Sequence, residues 1–477
     1  MRKEVDALGE MELPNEVYYG IQTERARQNF DVSGITHYQA PRYIWAVAAI
    51  KMAAARANAR VDALEQEIAD AICQAAQEVM DGKHADQFPI DMYQGGGGTS
   101  TNMNVNEVIG NRANEILTGA KGCDRVHPNT HVNMGQSTND VIPAAMKVST
   151  WFNLQELLGN MPALISTLQT KVDSYKHIVK LGRTCIQDAV PMTMAQQFSG
   201  YLSLAERMHQ KISAAAQDCL ELPLGATAVG TGLSARDGYL ECVYPELQEI
   251  TGADFKPEHN FFDGLQNGDT YVDIHANLKK LAMGLSKFAT DLRIMSSGPR
   301  AGMNEVVLPA VQPGSSIMPG KINPVMPELV NQICYQICGN DVAIGMAVEG
   351  GELDLNVWEP VIIKNMGESC TLLTNTVKLF NDKCVAGLEI NEEVCRKYAE
   401  DTTALSTMIA AIYDYPTGSR VAKKAFKEGK SVGAVTLEEG LMTEAQVKEY
   451  LDPMLMTDPV ASALAVRRAR RELGIDG

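Results

Sequence analysis

The chain has 477 residues, 45% hydrophobic but only 6% aromatic, so its apolar content rests on Ala, Leu, Val, Ile and 23 Met. At roughly 150 residues per domain this amounts to about three structural units, which excludes a mini-protein held by staples, and the aliphatic bias favours packed helices over a β-sandwich. A formal charge of −17, from 42 Lys and Arg against 59 Asp and Glu, excludes nucleic acid as a partner; the one locally basic run is Arg467, Arg468, Arg470 and Arg471.

From Met1 to Phe30 the sequence is polar and charged, without the apolar stretch of a secretory signal. The longest early apolar run, Ile44 to Ile50, stops at Lys51. No segment approaches the ~18 uninterrupted apolar residues of a membrane span, so no membrane partner is expected and the location is expected to be cytoplasmic. The ten Cys are scattered, without a C-x-x-C pair or zinc-finger spacing, and read as buried or free thiols of a reducing compartment.

Further along, apolar residues recur every three or four positions. Val61, Leu64, Ile68, Ala71, Ala75 and Val79 trace one helical face. Trp151, Leu154, Leu158, Met161, Ile165, Leu168 and Val172 trace a longer one, and Leu278, Leu281, Leu285, Phe288, Leu292 and Met295 keep a nearly strict 3,4 spacing. These predict a mainly α fold of long bundled helices. Glu328 to Glu349 is apolar nearly all round; such a helix needs cover on every side, which predicts an oligomer with this helix at a subunit interface. From about Asn391 the pattern becomes shorter and more charged, broken at Pro416 and Gly418. The chain thus divides into an N-terminal domain over 1–138, a central helical-bundle domain over 139–390 and a small C-terminal helical domain over 391–477. Beyond Asp452 and Pro453 the tail reads either as a further helix or as a frayed end.

Gly-rich connectors between the helices are the places for chemistry. Gln94 to Asn104 carries four consecutive Gly followed by Thr99, Ser100 and Thr101, but lacks the ending of a P-loop and the strand context of a dinucleotide site. Plain turn chemistry explains it equally well. Gln136, Ser137, Thr138, Asn139 and Asp140 precede an apolar helix; hydroxyls and N–H groups at a helix N-terminus suit a carboxylate, and a capping residue accounts for one of them. In Gly182 to Asp188, Cys185 has no His near it in sequence and reads as a small hydrophobe sooner than a nucleophile, with Ala189, Val190 and Pro191 opening a helix. His127, His131, His177 and His259 form no ligand motif, so no metal is expected.

The most informative stretch is Gly314, Ser315, Ser316, Ile317, Met318, Pro319, Gly320, Lys321, Ile322, Asn323, Pro324. A loop of this kind can surround a hydroxyl with backbone N–H groups that stabilise a seryl oxyanion and make it a base, with Lys321 and Asn323 holding a carboxylate beside the carbon that loses its proton. A polar loop with a capping Ser fits the same residue types.

Taken together, in this order and at these separations, the four segments resemble the aspartase/class II fumarase superfamily. Gly314 to Asn323 matches its signature G-S-S-x-M-P-x-K-x-N at every fixed position, and the similarity runs from about Tyr18, Tyr19 and Gly20 to about Pro453. The resemblance implies a long-helix bundle with a tetrameric core and smaller N- and C-terminal domains. It implies a homotetramer with active sites shared between subunits, a small dicarboxylate substrate, and no cofactor. Position by position, it implies Ser315 as base with Ser316 beside it, and Lys321 and Asn323 as the carboxylate pair. Thr99, Ser137, Thr138 and Asn139 fall on the second carboxylate and the leaving-group side, Thr184 on a contact from another subunit, and Glu328 on a supporting acid.

After the threonine of G-R-T, fumarases carry His; here Cys185 stands at that place on the substrate-binding side. Hydroxide needs a general acid to leave, whereas an ammonium departs as ammonia with its proton already in place. The expected reaction is therefore elimination of ammonia from L-aspartate to give fumarate. The alternative is another C4-dicarboxylate lyase giving fumarate, either a hydratase or an enzyme expelling a substituted amine or sulfite. Intact Ser315, Lys321 and Asn323 argue against a catalytically silent homologue.

Overall fold

The computed structural model describes residues 1–475. A β-hairpin, β1 (Arg2–Asp6) with β2 (Gly9–Leu13), opens the chain, followed by α1 (Ile21–Asn29), α2 (Pro41–Arg60), α3 (Gln66–Met80), α4 (Thr99–Thr118) and α5 (Thr138–Ser174). A second hairpin, β3 (Val179–Thr184) with β4 (Gln187–Thr193), leads to α6 (Met194–Ala216), α7 (Tyr239–Thr251), α8 (Phe261–Gln266), α9 (Asp269–Met295), α10 (Val325–Glu349) and α11 (Glu359–Phe380). Six shorter helices follow, from α12 (Glu392–Asp401) through α13 (Ser406–Ile412), α14 (Tyr415–Glu428), α15 (Val432–Glu438) and α16 (Glu444–Tyr450) to α17 (Pro459–Glu472). Among the described residues no helix is long and apolar enough to cross a membrane.

The chain packs as two compact units. One holds Met1–Gly159, Met208–Ala282 and Ile333–Asn375; the other holds Asn160–Arg207, Met283–Gln332 and the residues from Thr376 onward. The boundaries fall inside α5, α6, α9, α10 and α11. At 37 residues α5 is roughly 55 Å long.

In the first unit α2 is the inner helix. Pro41 starts it at a position where a missing N–H costs nothing, and eight Ala keep its surface small, so that α3, α4 and α7 all pack on it. It ends at Arg60, where Asp62 turns left-handed (φ 53°) and Ala63 and Leu64 both donate their N–H to the Asn58 carbonyl. The predicted helical face from Val61 therefore begins only at Gln66. Leu64 is buried, but as part of the turn: three- and four-residue spacing marks the buried side whether or not the backbone there is helical. The Tyr18-Tyr19-Gly20 motif meets Glu107 of α4, whose carboxylate accepts the N–H of Gly20 (2.9 Å), Gln22 (2.8 Å) and Thr23 (3.0 Å), capping α1 from a distance. A Cβ on Gly20 would lie 2.7 Å from the Glu107 carboxyl carbon.

The second unit has an aromatic centre in which Phe288 stacks on Tyr201 (4.1 Å between centroids) and meets Phe198 and Phe380 edge-on. A separate cluster runs from Leu405 through Ile409, Val421, Val435 and Tyr450 to Ala469. The tail, left open by its sequence, is helical: Asp458 caps α17 by accepting the N–H of Val460 and Ala461. Ala189, Val190 and Pro191 do not open a helix. They lie in β4, where Pro191 faces Leu181, and the helix waits until Met194. A two-stranded ribbon has only edges, so a proline's missing N–H is tolerated there.

Candidate active site

In the second unit the loop before α10 closes on itself. Gly314 donates its N–H to the Lys321 carbonyl (2.7 Å), and Asn323 Nδ2 donates to the Gly314 carbonyl (2.8 Å). A Cβ at Gly314 would lie 2.6 Å from the Lys321 oxygen, so only glycine permits this closure. Inside it, Ser315 Oγ accepts the N–H of Ile317 (3.2 Å) and of Met318 (3.0 Å). Two backbone dipoles thus point at one hydroxyl oxygen, an arrangement that favours negative charge on it. Ser316, Ile317, Met318 and Lys321 face outward, with Ile317 84% exposed. Glu328 sits one turn into α10, its N–H on the Pro324 carbonyl.

Thr184 and Cys185 lie at the tip of the β3–β4 hairpin, in the same unit. Thr184 pairs with Gln187, leaving Cys185 (φ 54°) and Ile186 (φ 60°) as a two-residue turn in the left-handed region. A hairpin turn of this handedness prefers Asn-Gly; a β-branched Ile there costs about 1–2 kcal/mol. Behind the tip, Arg183 donates to Glu305 Oε1 (2.8 Å) and Lys180 Nζ lies 3.7 Å from Glu305 Oε2, while Lys180 also donates to Gln197 (2.7 Å). Glu305 is fully buried. Burial pushes the Lys180 pKa down and the Glu305 carboxylate pulls it back. This charge cluster anchors the hairpin; sequence reading missed Glu305, which stands alone among polar and apolar neighbours far from Arg183.

The remaining predicted residues belong to the first unit. Gly98 (φ 79°) lets the chain turn into α4, and Thr99, exposed at the helix start, returns its hydroxyl to the Gly96 carbonyl (2.8 Å). Thr99 borders a cavity of about 390 Å³ shared with Gln22, Arg25, Asn29 and Met103. Two side chains cap the start of α5: Asp140 Oδ1 accepts the Ser137 N–H (2.9 Å) and Ser137 Oγ accepts that of Asn139 (3.3 Å). Asp140 Oδ2 takes the N–H groups of Gly225 and Thr227, both at 3.0 Å, which ties the Gly-rich segment after Leu224 to this turn. Burial raises the Asp140 pKa, opposed by these N–H donors and by Lys51. Asn139 Nδ2 donates to the Ala228 carbonyl (2.7 Å), and Thr138 Oγ1 accepts from Asn102 Nδ2 (3.0 Å).

A cavity of about 610 Å³ in the first unit, lined by Tyr43, Trp45, Met80, Ile363 and Leu372, contains none of the predicted residues. His127 and His131 are occupied locally: His127 Nδ1 accepts the N–H of Asn129, and His131 Nδ1 that of His127. Among the described residues no three His, Cys, Asp or Glu side chains are placed to hold a metal ion, and no disulfide joins any of the ten Cys.

The family described as Lyase matches residues 9–339, and that described as Fumarase C C-terminus matches residues 403–458. The chain belongs to this family, the aspartase/class II fumarase superfamily. Among its relatives, the aspartate ammonia-lyase of Bacillus subtilis (strain 168) is 45% identical over 460 residues, 96% of each chain. The fold is shared with the crystal structure of the fumarate lyase:delta crystallin of Brucella melitensis bound to cobalt (TM-score 0.92, 40% identity, covering 96% of this chain and 100% of that one). It is shared equally with the recombinant class II fumarase of Schistosoma mansoni (TM-score 0.91, 36% identity, 96% and 99%).

Proposed function

We propose that this chain catalyses the aspartate ammonia-lyase reaction, the anti-elimination of ammonia from L-aspartate to give fumarate. The observation that carries the reading is the Ser315 cradle, with two N–H groups on Oγ in a loop that continues to Lys321 and Asn323. Ser315 Oγ takes the proton from the carbon beside one carboxylate, and the C–H electron pair moves into that carboxylate to give an aci-carboxylate. Lys321 and the remaining N–H of Asn323 offset the added charge. Collapse forms the C=C bond and breaks the C–N bond, whose pair leaves on nitrogen as ammonia. Thr99, Ser137 and Thr138 hold the second carboxylate at the start of α5. Asn139, its Nδ2 engaged by Ala228, keeps an amide oxygen for the substrate ammonium. Ser316, beside the base, joins the substrate-binding residues, and Thr184 contributes from another subunit.

Cys185 favours ammonia over hydroxide as the leaving group, because no imidazole stands there to protonate one. The test is the ultraviolet absorbance of fumarate with L-aspartate in one cuvette and L-malate in another. Fumarate from aspartate alone supports the reading; fumarate from malate alone favours a hydratase. Cys185→His is expected to add measurable malate dehydration, and an unchanged rate would remove Cys185 from the leaving-group side.

A homotetramer with shared sites and a cytoplasmic location belong to the same reading. Supporting assembly, α10 exposes Tyr335 (67%), Val342 (61%) and Met346 (70%) at seven- and four-residue spacing, an apolar seam of coiled-coil type. Met346→Glu is expected to shift light scattering toward smaller species and to lower turnover with them. Retention of one oligomer at full activity would place the interface elsewhere.

A further inference from the structure

Lys51 has no part in the chemistry above, yet it is fully buried in the inner helix α2 between Ile50 and Met52. An ammonium taken from water into such surroundings costs several kcal/mol, which an apolar residue at the same place would not. Burial pushes its pKa down to about 7, with the Asp140 carboxylate pulling the other way. Its protons go to two side-chain amides, Asn133 Oδ1 (2.9 Å) and Gln136 Oε1 (2.9 Å), which bracket the turn into Ser137, Thr138 and Asn139.

Lys51 donates to the oxygen of each amide, while their nitrogens are held by backbone carbonyls: Asn133 Nδ2 donates to Gln136 (3.1 Å), and Gln136 Nε2 to Val132 and Met134 (both 3.1 Å). The same Asn133 oxygen accepts from Asn102 Nδ2 (3.1 Å) and Asn106 Nδ2 (3.1 Å), so Asn102 must present its nitrogen. The other N–H of Asn102 goes to Thr138 Oγ1 (3.0 Å), while Asn102 Oδ1 stays buried without a partner. With one lone pair of its oxygen taken by Asn102, the Thr138 hydroxyl still has its own proton to give. Lys51, Asn133, Asn102 and Thr138 thus form one continuous hydrogen-bonded series.

We infer that Lys51 is a positioning residue for the substrate: acting through Asn133 and Asn102, it holds the Thr138 hydroxyl as a hydrogen-bond donor to a substrate carboxylate. The inference rests on the reading of Thr138 as a carboxylate ligand. Its test is calorimetric binding of succinate, which carries both carboxylates and cannot react, to the full-length wild type, Lys51→Met, Thr138→Val and the double variant. Lys51→Met is expected to raise the succinate Kd by about 10- to 100-fold, the range for a lost hydrogen bond to a charged group. In the Thr138→Val background it should add less than about 2-fold, because the hydroxyl it orients is gone. Full additivity, or an unchanged Kd in Lys51→Met, overturns the relay. Asn102→Ala leaves Lys51 in place and removes the side chain that joins Asn133 to Thr138, so it serves if Lys51→Met does not fold. It should match Thr138→Val and add nothing to it, and a wild-type Kd for Asn102→Ala overturns the relay. A wild type that binds succinate but gives no fumarate from L-aspartate counts against the proposed reaction and leaves the relay standing.

Discussion

Ser315→Ala is expected to lower kcat for L-aspartate by about 10³-fold or more, the loss that follows removal of a base acting in the transition state. The fold should persist. The loop is closed by the Gly314 N–H on the Lys321 carbonyl and by Asn323 on the Gly314 carbonyl, neither of which uses the serine side chain. The freed N–H groups of Ile317 and Met318 lie on exposed residues, where water replaces Oγ. Succinate binding should therefore stay near that of the wild type while turnover disappears, a split between kcat and affinity that marks a group needed for the chemistry. A Ser315→Ala enzyme with near-normal rate would end the assignment of the base.

Glu305→Ala is expected to cost about 3–5 kcal/mol of stability, because it strands the guanidinium of Arg183 and the ammonium of Lys180 without their shared counter-ion. Denaturant midpoints of Glu305→Ala and Glu305→Gln against the wild type measure it. Glutamine keeps an oxygen for Arg183 and should lose less. In Glu305→Gln the largest restraint on the downward push of burial on Lys180 is gone, so the folded state loses that proton at lower pH than the unfolded chain, whose lysine titrates near 10.5. Between those two values the unfolded state binds more protons, and the deficit should shrink as pH rises. Because the same carboxylate anchors the hairpin that carries Thr184 and Cys185, turnover should fall even where the variant remains folded. A Glu305→Ala protein of wild-type stability would mean that the two cations find water or another partner.

The long helices were legible because burial on one face repeats at the helical period, as in Leu278 to Met295, all of which lies inside α9. The Ser315 loop was legible for a related reason: its donors, acceptor and closing glycine all fall within the ten residues from Gly314 to Asn323. The β3–β4 hairpin was misread where it mattered least for the chemistry. Ala189, Val190 and Pro191 carry no period long enough to separate a short strand from a helix start.

The sequence by itself therefore determined the helical class and the family, since the first depends on spacings of a few positions and the second on motifs read in chain order. The tertiary structure decided which distant charges meet. Lys51, which ends an apolar run on paper, is an interior lysine bonded to Gln136 from 85 positions away, and Glu305 finds Arg183 across 122. No local pattern encodes such pairs: the partners lie on different elements, and a buried charge is tolerated only where packing delivers its partner.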